Sequence, residues 1–183
     1  MVGIFGGALQ VSLPGHFVDV STLRQVPDNQ EVYVDSTSDM SLIIELLETP
    51  DDVETVPAVF HFQELAECNS ATESSTILST VTNVSGMIAY SPILSYLSGS
   101  RASYSKVRGT QCISKYSYQD QRKRQSDVVD IFLGVIRLPQ TATDLTLSVN
   151  IPHDTGSKLL EVEKIFEEAF SSISVCDWTI FEQ

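Results

Sequence analysis

Apolar and polar positions alternate over several stretches of this chain. Leu9, Val11 and Leu13 are separated by Gln10 and Ser12, and Pro14-Gly15 follows as a turn. Residues 4–20 therefore read as a hairpin whose return strand begins at Phe17 and Val18. Asp19 or Ser21 is placed to cap a single helical turn through Leu23. Pro27-Asp28-Asn29 turns the chain, and Glu31 to Val34 alternates again, with Val32 and Val34 on one side and Tyr33 on the other. Beyond Ser36 and Ser38, Leu42, Ile43, Leu46 and Leu47 recur at helical spacing, and Glu45 and Glu48 fall together opposite them. That spacing predicts a helix, with Asp39 in its first turn and Pro50 as its stop.

After a connector from Asp51 to Pro57, Phe60 and Phe62 flank His61 in a predicted strand over Val59 to Leu65. Ala66 to Ser75 reads as loop, and the β-branched run from Thr76 to Val84 as strand. Residues 86–101 are apolar but interrupted by Pro92. Thr110 to Tyr118 is a further predicted strand, and QDQRKRQS, residues 119–126, a hairpin loop. Asp127 to Leu138 is apolar on both faces, the mark of a strand between two covering layers. Asp144 to Ile151 alternates strictly and is expected to pair with it antiparallel. A helix then begins near Ser157, burying Leu159, Val162, Phe166, Ala169, Phe170 and Ile173. The end of the chain is expected to dock through Trp178 and Phe181. Together these elements predict an α+β fold, an antiparallel β-sheet with helices packed on it.

Composition narrows the partners. The 183 residues suit one domain, residues 1–183, and 42% apolar with 19% charged residues is a globular balance. With 11 basic and 24 acidic residues the net charge is -13. Such a surface repels phosphate backbones and anionic lipid, so nucleic acid and membrane are excluded as expected partners and a basic protein is favoured. Cys68, Cys112 and Cys176 cannot pair completely and match no zinc spacing, so they read as reduced thiols. No basic-then-apolar start announces a signal peptide, and no apolar run reaches the ~20 residues of a membrane helix.

Little in the sequence announces catalysis. His16, His61 and His153 lie far apart, each without a neighbouring ligand residue, and His61 reads as a satisfied, half-buried side chain. Gly6-Gly7 lacks the Gly-Lys-Ser/Thr of a phosphate loop and reads as close backbone approach or a bulge. Arg122-Lys123-Arg124 reads as a solvated loop. The remaining constellation is acidic: Asp19, Asp28, Glu31, Asp35, Asp39, Glu45 and Glu48 stand within thirty positions that contain one basic residue, Arg24. Composition alone makes them a solubilising face.

Their wording points further. FGGA at residues 5–8, VDVSTLRQVPDNQEVYV at 18–34, SLIIELLE at 41–48 and IRLPQTATDLTLSVNIP at 136–152 resemble, in this order, the Ran guanine-nucleotide release factor family (the Mog proteins). The likeness is close over residues 5–48 and looser to residue 181. It implies a three-layer sandwich also seen in PsbP-type photosystem proteins. It implies a protein that binds the small GTPase Ran and promotes guanine-nucleotide release in nuclear protein import. Such a protein needs no cofactor, metal or covalent chemistry, and is expected as a monomer in the nucleus and cytoplasm. The matching strings put the Ran contact on Asp19, Asp28, Glu31, Glu45 and Glu48, with Arg24, Pro27 and Asn29 alongside. The other expectation from this fold is a ligand-binding or adaptor module without exchange activity; a plastid member of that kind would carry a transit peptide, which the start at Met1 does not resemble.

Overall fold

A computed structural model of the chain describes residues 1–50, 55–83, 103–115, 125–153 and 158–181. Its centre is a seven-stranded sheet in the order β3-β4-β5-β9-β8-β7-β6. The strands are β3 (Phe17–Asp19), β4 (Gln30–Asp35), β5 (Ser41–Glu48), β6 (Ser75–Asn83), β7 (Ser103–Lys115), β8 (Gln125–Leu138) and β9 (Thr143–Pro152). Every neighbouring pair is antiparallel. Helix α1 (Pro57–Cys68) packs on one face over β6, β7 and β8. The other face carries helix α2 (Leu159–Ser172) and a three-stranded sheet of β1 (Val2–Ile4), β2 (Leu9–Val11) and β10 (Ser174–Val175). The predicted antiparallel sheet between helical layers is the architecture found.

Side-chain alternation divides the core in two. On the α2 face, Leu42 and Ile44 meet Phe132, Ile136, Leu145, Leu147, Val149, Phe166 and Phe170. On the α1 face, Ala58 and Phe62 meet Val107, Ile131, Leu133 and Val135. Two glycines set how closely the helices approach. A Cβ on Gly109 would lie 2.5 Å from the Phe62 ring, and one on Gly134 would overlap the Phe170 ring. Each absent side chain leaves a seat for an aromatic ring.

Four expectations need correction. Residues 41–48 form strand β5, not a helix. Leu42 pairs with Tyr33 on one side and Val149 on the other. β5 buries Leu42 and Ile44 on one face while Ile43, Glu45 and Leu47 line a groove on the other, and over eight residues a nearly continuous apolar run cannot be told from a helix by spacing. Conversely, Val59–Leu65 lies within helix α1, not a strand. Pro57 opens the helix, and the buried Ala58, His61, Phe62 and Ala66 follow helical spacing. The Phe60/Phe62 alternation was incidental, and Ala66 to Cys68 continues the helix where loop was expected. Third, the hairpin over 4–20 is split. β1 pairs with β2, while β3 leaves to pair with β4 in the main sheet. The reversal between β1 and β2 comes at Gly6 and Gly7, with φ of 65° and 92°, where glycine costs least. Fourth, β7 starts seven residues before the expected Thr110, at Ser103.

The other elements agree with expectation. β8 and β9 pair antiparallel with Ile136 opposite Leu145, β6 covers the β-branched run, and α2 buries Val162, Phe166, Ala169 and Phe170. Phe181 is buried and Trp178 packs on the same core. The expectations for residues 86–101 and most of the 119–126 loop fall outside the described residues.

Candidate functional site

The acidic segment builds the β3–β4–β5 edge of the main sheet. Asp19 ends β3 and accepts from the Ser21 amide at 2.7 Å and the Ser21 hydroxyl at 2.8 Å, capping a single 3-10 turn over Val20–Thr22. Arg24 follows, exposed, its amide donating to the Val20 carbonyl. Pro27, Asp28 and Asn29 form an exposed turn closed by Gln30 N donating to Pro27 O at 2.9 Å. Asn29 pins this turn to β5. Its carbonyl accepts from Leu46 N at 3.0 Å, and its side-chain amide donates to Leu46 O at 3.2 Å.

Pairing register then sorts the carboxylates by face. Gln30 is opposite Glu45, and Tyr33 is opposite Leu42. Glu45 therefore shares the α1 face with Gln30, whose Nε2 donates to it at 2.5 Å. Half-burial pushes the Glu45 carboxyl up, with the Gln30 bond and nearby His61 opposing. Glu31 turns to the other face, where its carboxylate accepts from the Phe5 amide and so ties the small sheet to the large one. Tyr33 lies on that side, and burial first, then Glu31 and Asp19, push its hydroxyl up to about 12. Glu48 is exposed at the end of β5. The predicted residues thus share one sheet edge but not one surface: Arg24, Pro27, Asp28, Asn29 and Glu48 are open to solvent, Glu45 faces the α1 side, and Asp19 and Glu31 hold local structure. Glu45 and Glu48 share no helix face, because residues 41–48 form β5, but both line the same groove beside α1.

Two buried ionic clusters were invisible in the sequence. Asp144, fully buried, lies 2.7 Å from His61 Nε2 and accepts Arg137 Nε and Nη2 at 2.8 Å and 2.7 Å. Burial alone would raise its carboxyl, but the hydrogen bonds from Arg137 and His61 outweigh it and hold the group below its ordinary range. His61 is thus a satisfied side chain, as expected, though on a helix. On the opposite face the buried Asp130 meets His153 at 2.7 Å and Arg108 at 3.7 Å. Asp144 lies 83 positions from His61 and Asp130 lies 23 from His153, and although Arg137 is only 7 from Asp144, the spacing alone carries no sign of either cluster. Among the described residues no group of three or more His, Cys, Asp or Glu is arranged to hold a metal, and no helix is long and apolar enough to cross a membrane.

The family model described as Ran-interacting Mog1 protein matches residues 2–152. The chain belongs to this family. It is 32% identical over 178 residues to the Ran guanine nucleotide release factor of Danio rerio, spanning 97% of this chain and 87% of that protein. It is 34% identical over 168 residues to the nuclear import protein mog1 of Schizosaccharomyces pombe, spanning 90% and 84%. Among solved structures it is similar to the Ran-binding protein Mog1p of Saccharomyces cerevisiae, with a TM-score of 0.71, 27% identity and coverage of 98% and 96%. The cyanobacterial PsbP of Synechocystis, at 12% identity, TM-score 0.57 and coverage of 92% and 86%, shares the fold. The Mog and PsbP likeness expected from the sequence is therefore found, and the family match takes in the whole β3–β5 edge.

Proposed function

We propose that this protein binds Ran and promotes release of its bound guanine nucleotide, in support of nuclear protein import. The observation that carries the reading is the family match over residues 2–152, which includes the acidic edge. The contact is assigned to Asp19, Arg24, Pro27, Asp28, Asn29, Glu31, Glu45 and Glu48. Within that set the exposed Asp28 and Glu48 meet basic groups of the GTPase directly. Asn29 keeps their turn on β5, and Asp19 and Glu31 keep the edge in shape.

Small GTPases hold nucleotide through a P-loop lysine, backbone amides and Mg²⁺. A partner that binds the empty state more tightly than the loaded one weakens nucleotide binding by the same factor. Carboxylates from this edge act by competing for positive charge on the phosphate side. No covalent step is needed, so the protein is a regulator, not an enzyme, and it works as a monomer in the nucleus and cytoplasm. Release of labelled nucleotide from Ran, followed with this protein in excess, tests the claim. Faster release is expected; an unchanged rate removes the release activity. A pull-down with loaded and empty Ran tests binding separately.

A further inference from the structure

Strands β6 and β7 form the end of the main sheet farthest from the acidic β3–β5 edge. Together they carry Lys106, Arg108 and Lys115 and no aspartate or glutamate, in a chain with 24 acidic residues. Register puts Lys106 and Arg108 on the α2 face, opposite Gly134 and Phe132 of β8. The Lys106 ammonium is fully used: it pairs with Glu167 of α2 at 2.5 Å and lies over the rings of Tyr104, Phe166 and Phe170. The Arg108 guanidinium is not. It lies over the Phe132 ring, 5.1 Å from the centroid, and 3.7 Å from Asp130 Oδ1, and it makes no hydrogen bond among the described residues.

Two clusters of the same composition, one aspartate with an arginine and a histidine, therefore sit on opposite faces of the sheet. The one around Asp144 is closed: Arg137 donates through both Nε and Nη2, and His61 and Thr49 take up the remaining capacity. The one around Asp130 is open. His153 holds Oδ2 at 2.7 Å, which leaves Oδ1 to Arg108, yet Asp130 Oδ1 and Arg108 Nε are both buried without a hydrogen-bond partner. Buried polar groups are almost always satisfied, and a half-satisfied network is worse than apolar packing. Drawing the guanidinium in from 3.7 Å to hydrogen-bond length would settle both atoms.

We propose that Arg108 receives a carboxylate from an acidic segment of a partner protein, in which the acidic residue adjoins an apolar one. The partner's carboxylate accepts from guanidinium N–H groups that Asp130 does not use, and Arg108 then bridges the two carboxylates in one charge-assisted network. Asp130, buried beneath, anchors the guanidinium in place. Val81 and Val128, exposed on the same face, receive the apolar neighbour. A carboxylate suits this site better than a phosphate, because the guanidinium fork matches its plane and Asp130 and Glu167 already set two negative charges beside the two cations. The site lies at the opposite end of the sheet from the contact assigned to Ran and does not rest on that assignment.

The test is titration of the full chain, at physiological salt and followed by amide NMR, with an acetylated, amidated peptide of alternating leucine and glutamate. A chain of net charge -13 repels such a peptide over most of its surface, so a localised response is informative. Shift changes confined to β6, β7 and the Asp130 end of β8 are expected. Affinity should fall about tenfold when glutamine replaces glutamate in the peptide or when the protein carries Arg108→Gln, and Arg108→Lys should restore little of it, since an ammonium has no fork. A glycine-glutamate peptide of equal charge should bind more weakly, since it lacks the apolar residue. Absent shifts, shifts centred on the β3–β5 edge, equal affinity for the glutamate and glutamine peptides, or the same shifts from inorganic phosphate at equal concentration would overturn the proposal. The peptide comparison uses the unaltered protein and does not depend on any variant folding.

Discussion

Asp144 Oδ2 and His61 Nε2 lie 2.7 Å apart, joining the middle of the main sheet to helix α1. Arg137 completes the cluster from β8. Because Asp144 is fully buried, removing it strands two donors that now share its charge.

Asp144→Ala should therefore destabilise the fold by about 3–5 kcal/mol, as for a buried ion pair stripped of one partner. The pH dependence has a definite sign. The folded state holds Asp144 below its ordinary 3.8. Its contribution is complete above that value and is lost as pH falls through the lower folded value. Asp35 is also lowered: burial raises it, but hydrogen bonds from Ser38 and Thr37 prevail. Thermal melts from pH 6 to pH 2 should show a falling midpoint whose slope is reduced, not abolished, in Asp144→Asn. An unchanged slope would show that the cluster does not stabilise through charge.

Gly109→Ala should cost about 1–3 kcal/mol through overpacking, since the new Cβ meets both the Phe62 ring and the Thr76 carbonyl at 2.5 Å. Phe62→Leu is destabilising alone, but combined with Gly109→Ala the losses should be less than additive, because the ring that clashes is gone. Denaturant melts of the two single variants and the double variant measure the coupling; strict additivity would contradict the contact.

Tyr33 should ionise late. Burial, then Glu31 and Asp19, raise it from 10.0 to about 12. The folded state favours the neutral hydroxyl, so this contribution is whole below pH 10 and lost as pH rises toward 12. Ultraviolet titration should show a late tyrosinate step that Tyr33→Phe removes and Glu31→Gln moves to lower pH. A titration unaltered by Tyr33→Phe refutes this.

Asp28→Asn with Glu48→Gln changes two exposed groups that touch no core, so stability should stay within about ±0.5 kcal/mol. Ran binding should weaken by about 2 kcal/mol or more if these carboxylates form buried charge pairs at the interface. Glu45 is left out of this pair because Gln30 donates to it at 2.5 Å. Affinity of the unaltered protein should also fall from low to physiological salt. Normal binding by a folded double variant, with a flat salt response, would remove this edge from the interface.

Strict alternation by itself determined β9, and unbroken two-sided apolarity determined β8, because those patterns persist long enough to have one reading. The order of short strings such as VDVSTLRQVPDNQEVYV determined the family. Tertiary structure decided the rest. SLIIELLE has helical spacing on paper, yet β4 and β9 claim both of its edges, and pairing along two sides outweighs a weak local preference. AVFHF alternates, yet Pro57, the seat for the Phe62 ring at Gly109 and Ser105 Oγ accepting from the Ala58 amide make it a helix. The grouping of Asp144 with His61, 83 positions away, and the opposite facing of Glu31 and Glu45 depend on register, which no local window contains. Local sequence specifies which residues want burial; only the pairing of distant strands specifies which of them share a face.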